Sequence, residues 1–318
     1  MKNSMRTVPL GDSGADVSCM CLGAMYLGTR TDPALSRKLL DEYVDRGGTF
    51  IDTANIYAHW IAGFHGGESE TLIGEWMRER GNRSRLFLAS KVGFEYSSVP
   101  RRLTASLVQA ECDKSLRRLG VDTIDLYYAH VDDRATPIKD TLAAFGRLVK
   151  SGKVRYIGAS NFLAWRLADC RALSAASSLP GYCCIQQRHT YLRPRRGASF
   201  DPQIAANSDL LDWCASTRCT LLAYSPLLGG AYTRADRSIP EQYRGPDTEA
   251  RLKSLGAVAR EVGATANQVV LAWLMQAEPE AIPVMAAGAM DQLKENLGAL
   301  DLRLSREQIE TLSKASAV

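Results

Sequence analysis

Apolar residues along this chain gather into eight short, nearly continuous runs, at 17–22, 49–52, 86–90, 124–128, 154–159, 182–186, 220–224 and 281–285. Continuous rather than alternating hydrophobicity is the pattern of strands buried on both faces of a parallel sheet. Between the runs lie amphipathic stretches at 33–46, 69–80, 102–119, 138–150, 163–174 and 207–216, and a longer pair over 247–277. Thr31-Asp32-Pro33 places a capping residue ahead of a proline at a first helical position. Gly47, Gly81, Gly120 and Gly152 follow helical patterns as stops. Strands alternating with helices, mostly 28 to 38 residues apart, predict an α/β fold, the closed parallel (β/α)8 TIM barrel. Residues 1–318 form a single domain in this reading, with additional C-terminal helices. An open doubly wound sheet is the rival, and it calls for G-x-G-x-x-G after the first strand. Gly23-Ala24-Met25-Tyr26-Leu27-Gly28 fails that spacing.

Ionisable residues stand at the ends of three consecutive runs. Asp52 closes the second, Lys91 follows the third and His130 the fourth, with Tyr57 shortly after Asp52. Adjacent parallel strands lie roughly 5 Å apart, so a carboxylate, an ammonium, an imidazole and a phenol are expected on one rim. A free phenol titrates at about 10. The expectation is that Lys91 stabilises phenolate and lowers that value, with Asp52 holding the ammonium in place. His130 then suits hydrogen bonding to a substrate oxygen. Taken one at a time, an Asp–Lys pair is as readily a structural salt bridge, and a lone histidine a satisfied polar residue. Four such residues on three neighbouring strand ends favour chemistry. The quartet lacks a reductant or nucleophile, so it implies a cofactor.

Three long connections, 58–68, 191–206 and 227–249, follow the second, sixth and seventh strands and belong to the same rim. The first carries His59, Trp60, Phe64 and His65, which with Phe94, Tyr96 and Trp165 predict a partly aromatic pocket mouth; His59, Trp60 and Phe94 are the candidate substrate contacts.

Composition narrows the setting. A net charge of +4 with scattered basic residues gives no nucleic-acid footprint. No run of about 18 apolar residues marks a membrane span, and residues 1–10 lack a signal-peptide core. Eight cysteines without a C-x-x-C pair read as buried free thiols, and a cytoplasmic setting is expected.

The motifs around these residues carry a resemblance. Phe50-Ile51-Asp52-Thr53-Ala54-Asn55-Ile56-Tyr57, Gly67-Glu68-Ser69-Glu70 before Ile73-Gly74, Ala89-Ser90-Lys91-Val92-Gly93, Leu126-Tyr127-Tyr128-Ala129-His130 and Gly158-Ala159-Ser160-Asn161-Phe162 resemble, in order, signatures of the aldo-keto reductases. The resemblance implies an NADPH- or NADH-dependent oxidoreductase acting reversibly on aldehydes or ketones, without a metal. It implies that Tyr57 gives the proton, that Lys91 and Asp52 tune it, and that His130 orients a small-molecule carbonyl substrate. By the same resemblance, Ser160, Asn161 and Gln186 hold the nicotinamide carboxamide, and Tyr224, Ser225, Leu227 and Gly229 cover the pyrophosphate. Gln292, Glu295 and Asn296 meet the adenosine, while Met25 and Asp52 are further cofactor candidates. Read without the family, Ser160-Asn161 would be a helix cap and Glu295-Asn296 a solvated face.

Two positions depart from the pattern. His189 stands where many relatives place a tyrosine that stacks on the nicotinamide, so either this imidazole or Tyr191 is expected to take that role. The turn after the last strand reads Ala286-Ala287-Gly288-Ala289, with no side chain able to pair with a 2′-phosphate. Arg234, Arg237 or Arg244 then has to compensate, and NADP(H) is favoured only slightly over NAD(H). Two other functions fit parts of the pattern: a lyase forming a Schiff base on Lys91, which pairing with Asp52 disfavours, and a nucleotide-sensing barrel without turnover.

Overall fold

The computed structural model describes residues 5–316. Eight parallel strands close in the order β10-β3-β4-β5-β6-β7-β8-β9: β3 (Cys21–Gly23), β4 (Phe50–Asp52), β5 (Phe87–Val92), β6 (Ile124–Ala129), β7 (Val154–Ser160), β8 (Tyr182–Arg188), β9 (Thr220–Tyr224) and β10 (Ala281–Met285). The (β/α)8 barrel expected from the sequence is the fold observed. The expected first strand at 17–22 is two elements. Asp16–Ser18 (β2) pairs antiparallel with Thr7–Pro9 (β1), with Val8 opposite Val17, and only β3 enters the barrel. The hairpin buries Leu10 and Val17 completely against the barrel interior, so one largely apolar run serves two sheets.

The helices are α1 (Pro33–Asp45), α2 (Glu68–Arg80), α3 (Ala105–Leu119), α4 (Ile138–Lys150), α5 (Ala164–Ser177), α6 (Ser208–Thr217), α7 (Thr248–Glu261), α8 (Ala266–Gln276), α9 (Met290–Gly298) and α10 (Arg306–Lys314). Asp32 caps α1 by accepting from the backbone of Ala34 and Leu35. The stretch 247–277 divides at a capping box, in which Thr265 and Gln268 satisfy each other's backbone. Gly81 and Gly120 end α2 and α3 at φ values of 59° and 64°, where a side chain would be strained. Among the described residues, no helix is long and apolar enough to cross a membrane. All eight cysteines are free and buried.

Strand periodicity decides which side chains reach the site. Phe50, Ala89, Leu126, Tyr128, Cys184 and Leu222 pack inside the barrel, whereas Ile51, Leu88, Tyr127, Ile185 and Leu221 pack outward under the helices. Side chains two residues apart share a face. The inward series therefore continues as Phe50 then Asp52, Ala89 then Lys91, Tyr128 then His130, Cys184 then Gln186, and Leu222 then Tyr224. At the carboxyl ends of the strands the apolar filling gives way to polar groups.

Candidate active site

Lys91 is the centre of the rim. Its ammonium donates to Asp52 Oδ1, to the Thr53 carbonyl at 2.8 Å and to the Tyr57 hydroxyl at 2.7 Å. All three of its protons are engaged, and Lys91 and Asp52 are both fully buried. Gln186 donates to the second oxygen of Asp52 at 2.9 Å, so that carboxylate is held from both sides. Tyr57 lies in the turn after β4, half-buried, with its hydroxyl 3.5 Å from Asp52 Oδ1. His130 follows β6; its ring meets Tyr57 edge-on at 6.0 Å and Phe94 at 4.7 Å, and its Nδ1 is buried without a partner. The four expected residues meet at one place.

The electrostatics differ from the sequence expectation in one respect. Burial, and then the Asp52 carboxylate, push the Tyr57 phenol well above 10 rather than below it. The ammonium lies beside the phenol, but it already belongs to Asp52. Burial also draws Lys91 below the usual lysine value, against the upward pull of Asp52. Tyr57 is thus a proton store that stays loaded at neutral pH. Burial and then the Lys91 charge hold His130 well below the usual imidazole value, so the ring is neutral there.

A buried polar layer that sequence reasoning missed fixes the turn carrying Tyr57. Glu111 on α3 accepts from Asn55 at 2.8 Å, from Lys114 at 2.7 Å and from the Tyr96 hydroxyl. Burial pushes the Glu111 carboxyl up, but its bonds to Lys114, Tyr96 and Asn55 hold it below its ordinary value. Glu70 accepts from Ser90 at 2.5 Å and from Arg118 at 2.6 Å, tying β5 to α2 and α3. The available signal was a glutamate at 111 among Val108, Cys112, Ser115 and Leu119, the buried face of α3. Tyr96 is therefore part of this layer, not a lining of the mouth.

His59 and Trp60 stand beside Tyr57, with Trp60 44% exposed and its ring 6.5 Å from that of Tyr57. Phe94 covers His130 on the other side, and Trp165 lies beneath Arg134 at 4.8 Å. Ser160 and Asn161 are buried at the end of β7. The Asn161 amide donates to the His130 carbonyl and accepts from Ile204 N–H and from the Tyr224 hydroxyl at 2.8 Å, so it joins three rim segments. His189 and Tyr191, the two candidates for the stacking role, lie against the same helix. Both pack on Trp273 of α8, with ring centroids 6.0 Å and 5.5 Å away. Tyr224, at the end of β9, adds an aromatic ring to the rim, with the Arg188 guanidinium 5.5 Å over it.

The remaining candidates sit on the far side of the rim. Met25 occupies the turn after β3, half-buried. Ser225, Leu227 and Gly229 form the turn after β9, where Ser225 takes φ 54° and a Cβ at Gly229 would meet nothing within 4 Å. Left-handed non-glycine residues recur around this rim, at Ala58, Asn161, Ser225 and Leu228, and such strain gathers at functional sites. Arg234 pairs with Asp236 in an exposed loop. Asn267 bonds Thr233 and Glu295, which ties that loop to α9. Gln292 turns back to accept from Gly288 N–H, and Asn296 is buried against the Ala286 carbonyl. The residues present fit a nicotinamide dinucleotide: the Tyr224 ring offers a flat face, and nothing stands within 4 Å of a Cβ at Gly229, where a phosphate could approach.

Residues 19–317 match the sequence model of the Aldo/keto reductase family. The chain belongs to the aldo/keto reductase family. It is 32% identical to the uncharacterized oxidoreductase YrpG of Bacillus subtilis, over 96% of this chain and 94% of that one. It is also 32% identical to the aldo-keto reductase yakc [NADP(+)] of Schizosaccharomyces pombe, over 93% of this chain and 86% of that protein. Among solved structures, the thermostable aldo-keto reductase Tm1743, in complex with the inhibitor epalrestat, superposes with a TM-score of 0.77 at 28% identity, covering 98% of this chain and all of that one. This aldo/keto reductase is accordingly an oxidoreductase, and carbonyl reduction is its general chemistry.

Proposed function

We propose that this aldo/keto reductase reduces an aldehyde or ketone to the alcohol, reversibly, with NAD(P)H as hydride donor and Tyr57 as proton donor. A bound reduced dinucleotide supplies the hydride that the side chains lack. The chain's own part is positional and acidic. His130, neutral and half-shielded by Phe94, orients the carbonyl oxygen toward the Tyr57 hydroxyl. As negative charge develops on that oxygen, Tyr57 releases its proton, and the Lys91 ammonium 2.7 Å away stabilises the phenolate left behind. Asp52 and Gln186 keep the ammonium in register. Ser160, Asn161 and Gln186 are assigned to the nicotinamide end, the turn at Ser225, Leu227 and Gly229 to the pyrophosphate, and Gln292, Glu295 and Asn296 to the adenosine end.

The observation that carries this reading is the unbroken chain Asp52–Lys91–Tyr57 beneath a neutral imidazole. It disfavours the lyase, because an ammonium with all three protons engaged has no lone pair for a carbonyl carbon. NADP(H) is slightly preferred, since Arg234 is joined through Thr233 and Asn267 to α9, and a similar protein carries NADP(+) in its name. Tyr57→Phe is the test. It is expected to lower aldehyde-dependent cofactor oxidation at least ~10²-fold while dissociation constants for NADPH and NADH, read by fluorescence quenching, stay within about threefold. Full activity in that variant would remove Tyr57 as the acid.

A further inference from the structure

The mouth above β5, β6 and β7 carries four arginines, and three have carboxylate partners. Arg102 pairs with Asp133 at 3.5 Å, Arg166 with Asp132 at 3.1 Å, and Arg134 with the same Asp132. Asp133 is further occupied by Leu103 N–H and Thr136. Arg101 differs. It is exposed and has neither an ion pair nor a hydrogen bond among the described residues. Its one recorded contact is with a ring: the guanidinium lies 5.7 Å from the centroid of Phe94, and Phe94 is the ring set edge-on against His130 at 4.7 Å. From Tyr57 the contacts run to His130 at 6.0 Å, from His130 to Phe94 at 4.7 Å and from Phe94 to the Arg101 guanidinium at 5.7 Å, with Trp60 6.5 Å from Tyr57.

Such a sequence of groups matches one shape of ligand. A carbonyl at Tyr57 and His130 leaves a flat body against Phe94, and a substituent on its far side arrives at Arg101. A guanidinium presents paired donors that fit a carboxylate, and its charge is always present. Asp132 and Asp133, the aspartates of the neighbouring loop, are already engaged by Arg134, Arg166 and Arg102.

Building on the reductase reading, we propose that Arg101 is a specificity residue that selects aromatic carbonyl substrates carrying a carboxylate remote from the carbonyl. The test compares 4-carboxybenzaldehyde with benzaldehyde in the full chain, with NADPH present, for the native protein, Arg101→Ala and Arg101→Lys. The native protein is expected to show the lower KM for the carboxylated aldehyde. Arg101→Ala is expected to raise that KM about fivefold more than it raises the KM of benzaldehyde, the size of one partly exposed ion pair. Arg101→Lys should restore part of the difference, and added salt should narrow it in the native protein and in Arg101→Lys but not in Arg101→Ala. Equal KM changes for both aldehydes, or no preference in the native protein, overturn the proposal.

A second readout separates this inference from the reaction beneath it. Binding of 4-(hydroxymethyl)benzoate, followed by tryptophan fluorescence, needs no turnover. If neither aldehyde is reduced yet Arg101→Ala weakens this binding about fivefold, the anion site stands and the reductase reading falls. If the affinity is the same in both proteins, the anion site falls whatever the turnover.

Discussion

The rim of this barrel is held by different physics on its two sides. Where β4, β5 and β6 end, charged groups are buried and joined: Asp52 and Lys91 are wholly inside, and behind them Glu111 and Glu70 are equally buried and bonded to Asn55, Tyr96, Ser90 and Arg118. Where β9 and β10 end, the charged pair Arg234–Asp236 is exposed, and order comes from turns and amides such as Gln292 on Gly288 and Asn296 on Ala286. Buried charges are costly unless fully paired, so once assembled they tolerate little displacement. Exposed pairs exchange partners cheaply. The first arrangement suits atoms that must stay in place through a reaction. The second suits a surface that binds and releases a partner, as the proposed cofactor site would require.

The contrast is broken most severely at Lys91. Lys91→Met leaves the Asp52 carboxylate buried with only Gln186 and the more distant Tyr57 hydroxyl as partners, and is expected to cost about 3–5 kcal/mol of stability in denaturant unfolding together with nearly all turnover. Adding Asp52→Asn should return most of the stability and none of the activity. A single variant as stable as the native protein would show that the pair is not strained by losing one member.

A smaller effect is expected from pH. In the unfolded chain both His130 and His189 titrate near 6.5. In the fold His130 is held well below that, and burial followed by the Arg251 charge brings His189 to about 4. Between about pH 6.5 and 4 the unfolded state therefore binds more protons, so stability rises with pH across this window and is lost as pH falls through it. Unfolding midpoints measured against pH should show that slope, shallower in His189→Gln; an unchanged slope would mean His189 does not contribute. The activity profile, by contrast, should show no ionisation of His130 between pH 6 and 8.

The smallest effect belongs to the exposed side. Arg234→Ala should weaken NADPH binding about threefold relative to NADH, with no shift in the unfolding midpoint. An equal loss for both cofactors would assign Arg234 to the shared pyrophosphate instead.

The sequence made the barrel and the Asp52, Tyr57, Lys91 and His130 quartet legible because both rest on short-range order. Continuous apolar runs mark doubly buried strands, and a polar residue at the end of an inward series has one place to go. What stayed hidden depends on contacts between distant segments. Nothing local to 17–22 says that the run divides between a hairpin and the barrel, since Ser18 alone interrupts an otherwise apolar stretch. Glu111 was one more helical glutamate until α3 placed it against Asn55 and Tyr96. The direction in which His189 points is set by Trp273, more than eighty residues later. The sign of the Tyr57 shift was missed because it depends on two opposed neighbours and on burial, and residue identity supplies only the neighbours.

The ring of strands closes where Val284 and Met285 come to lie against Cys21 and Leu22. Until that late segment has been synthesised, β3 and β9 each present an open edge, and such edges attract other chains. Contacts this far apart in sequence also form slowly. A nascent chain halted before residue 281 thus holds Asp52, Tyr57, Lys91 and His130, yet cannot seal the sheet beneath them. Loss of the last seam would leave this protein prone to aggregate even though those four side chains are already made.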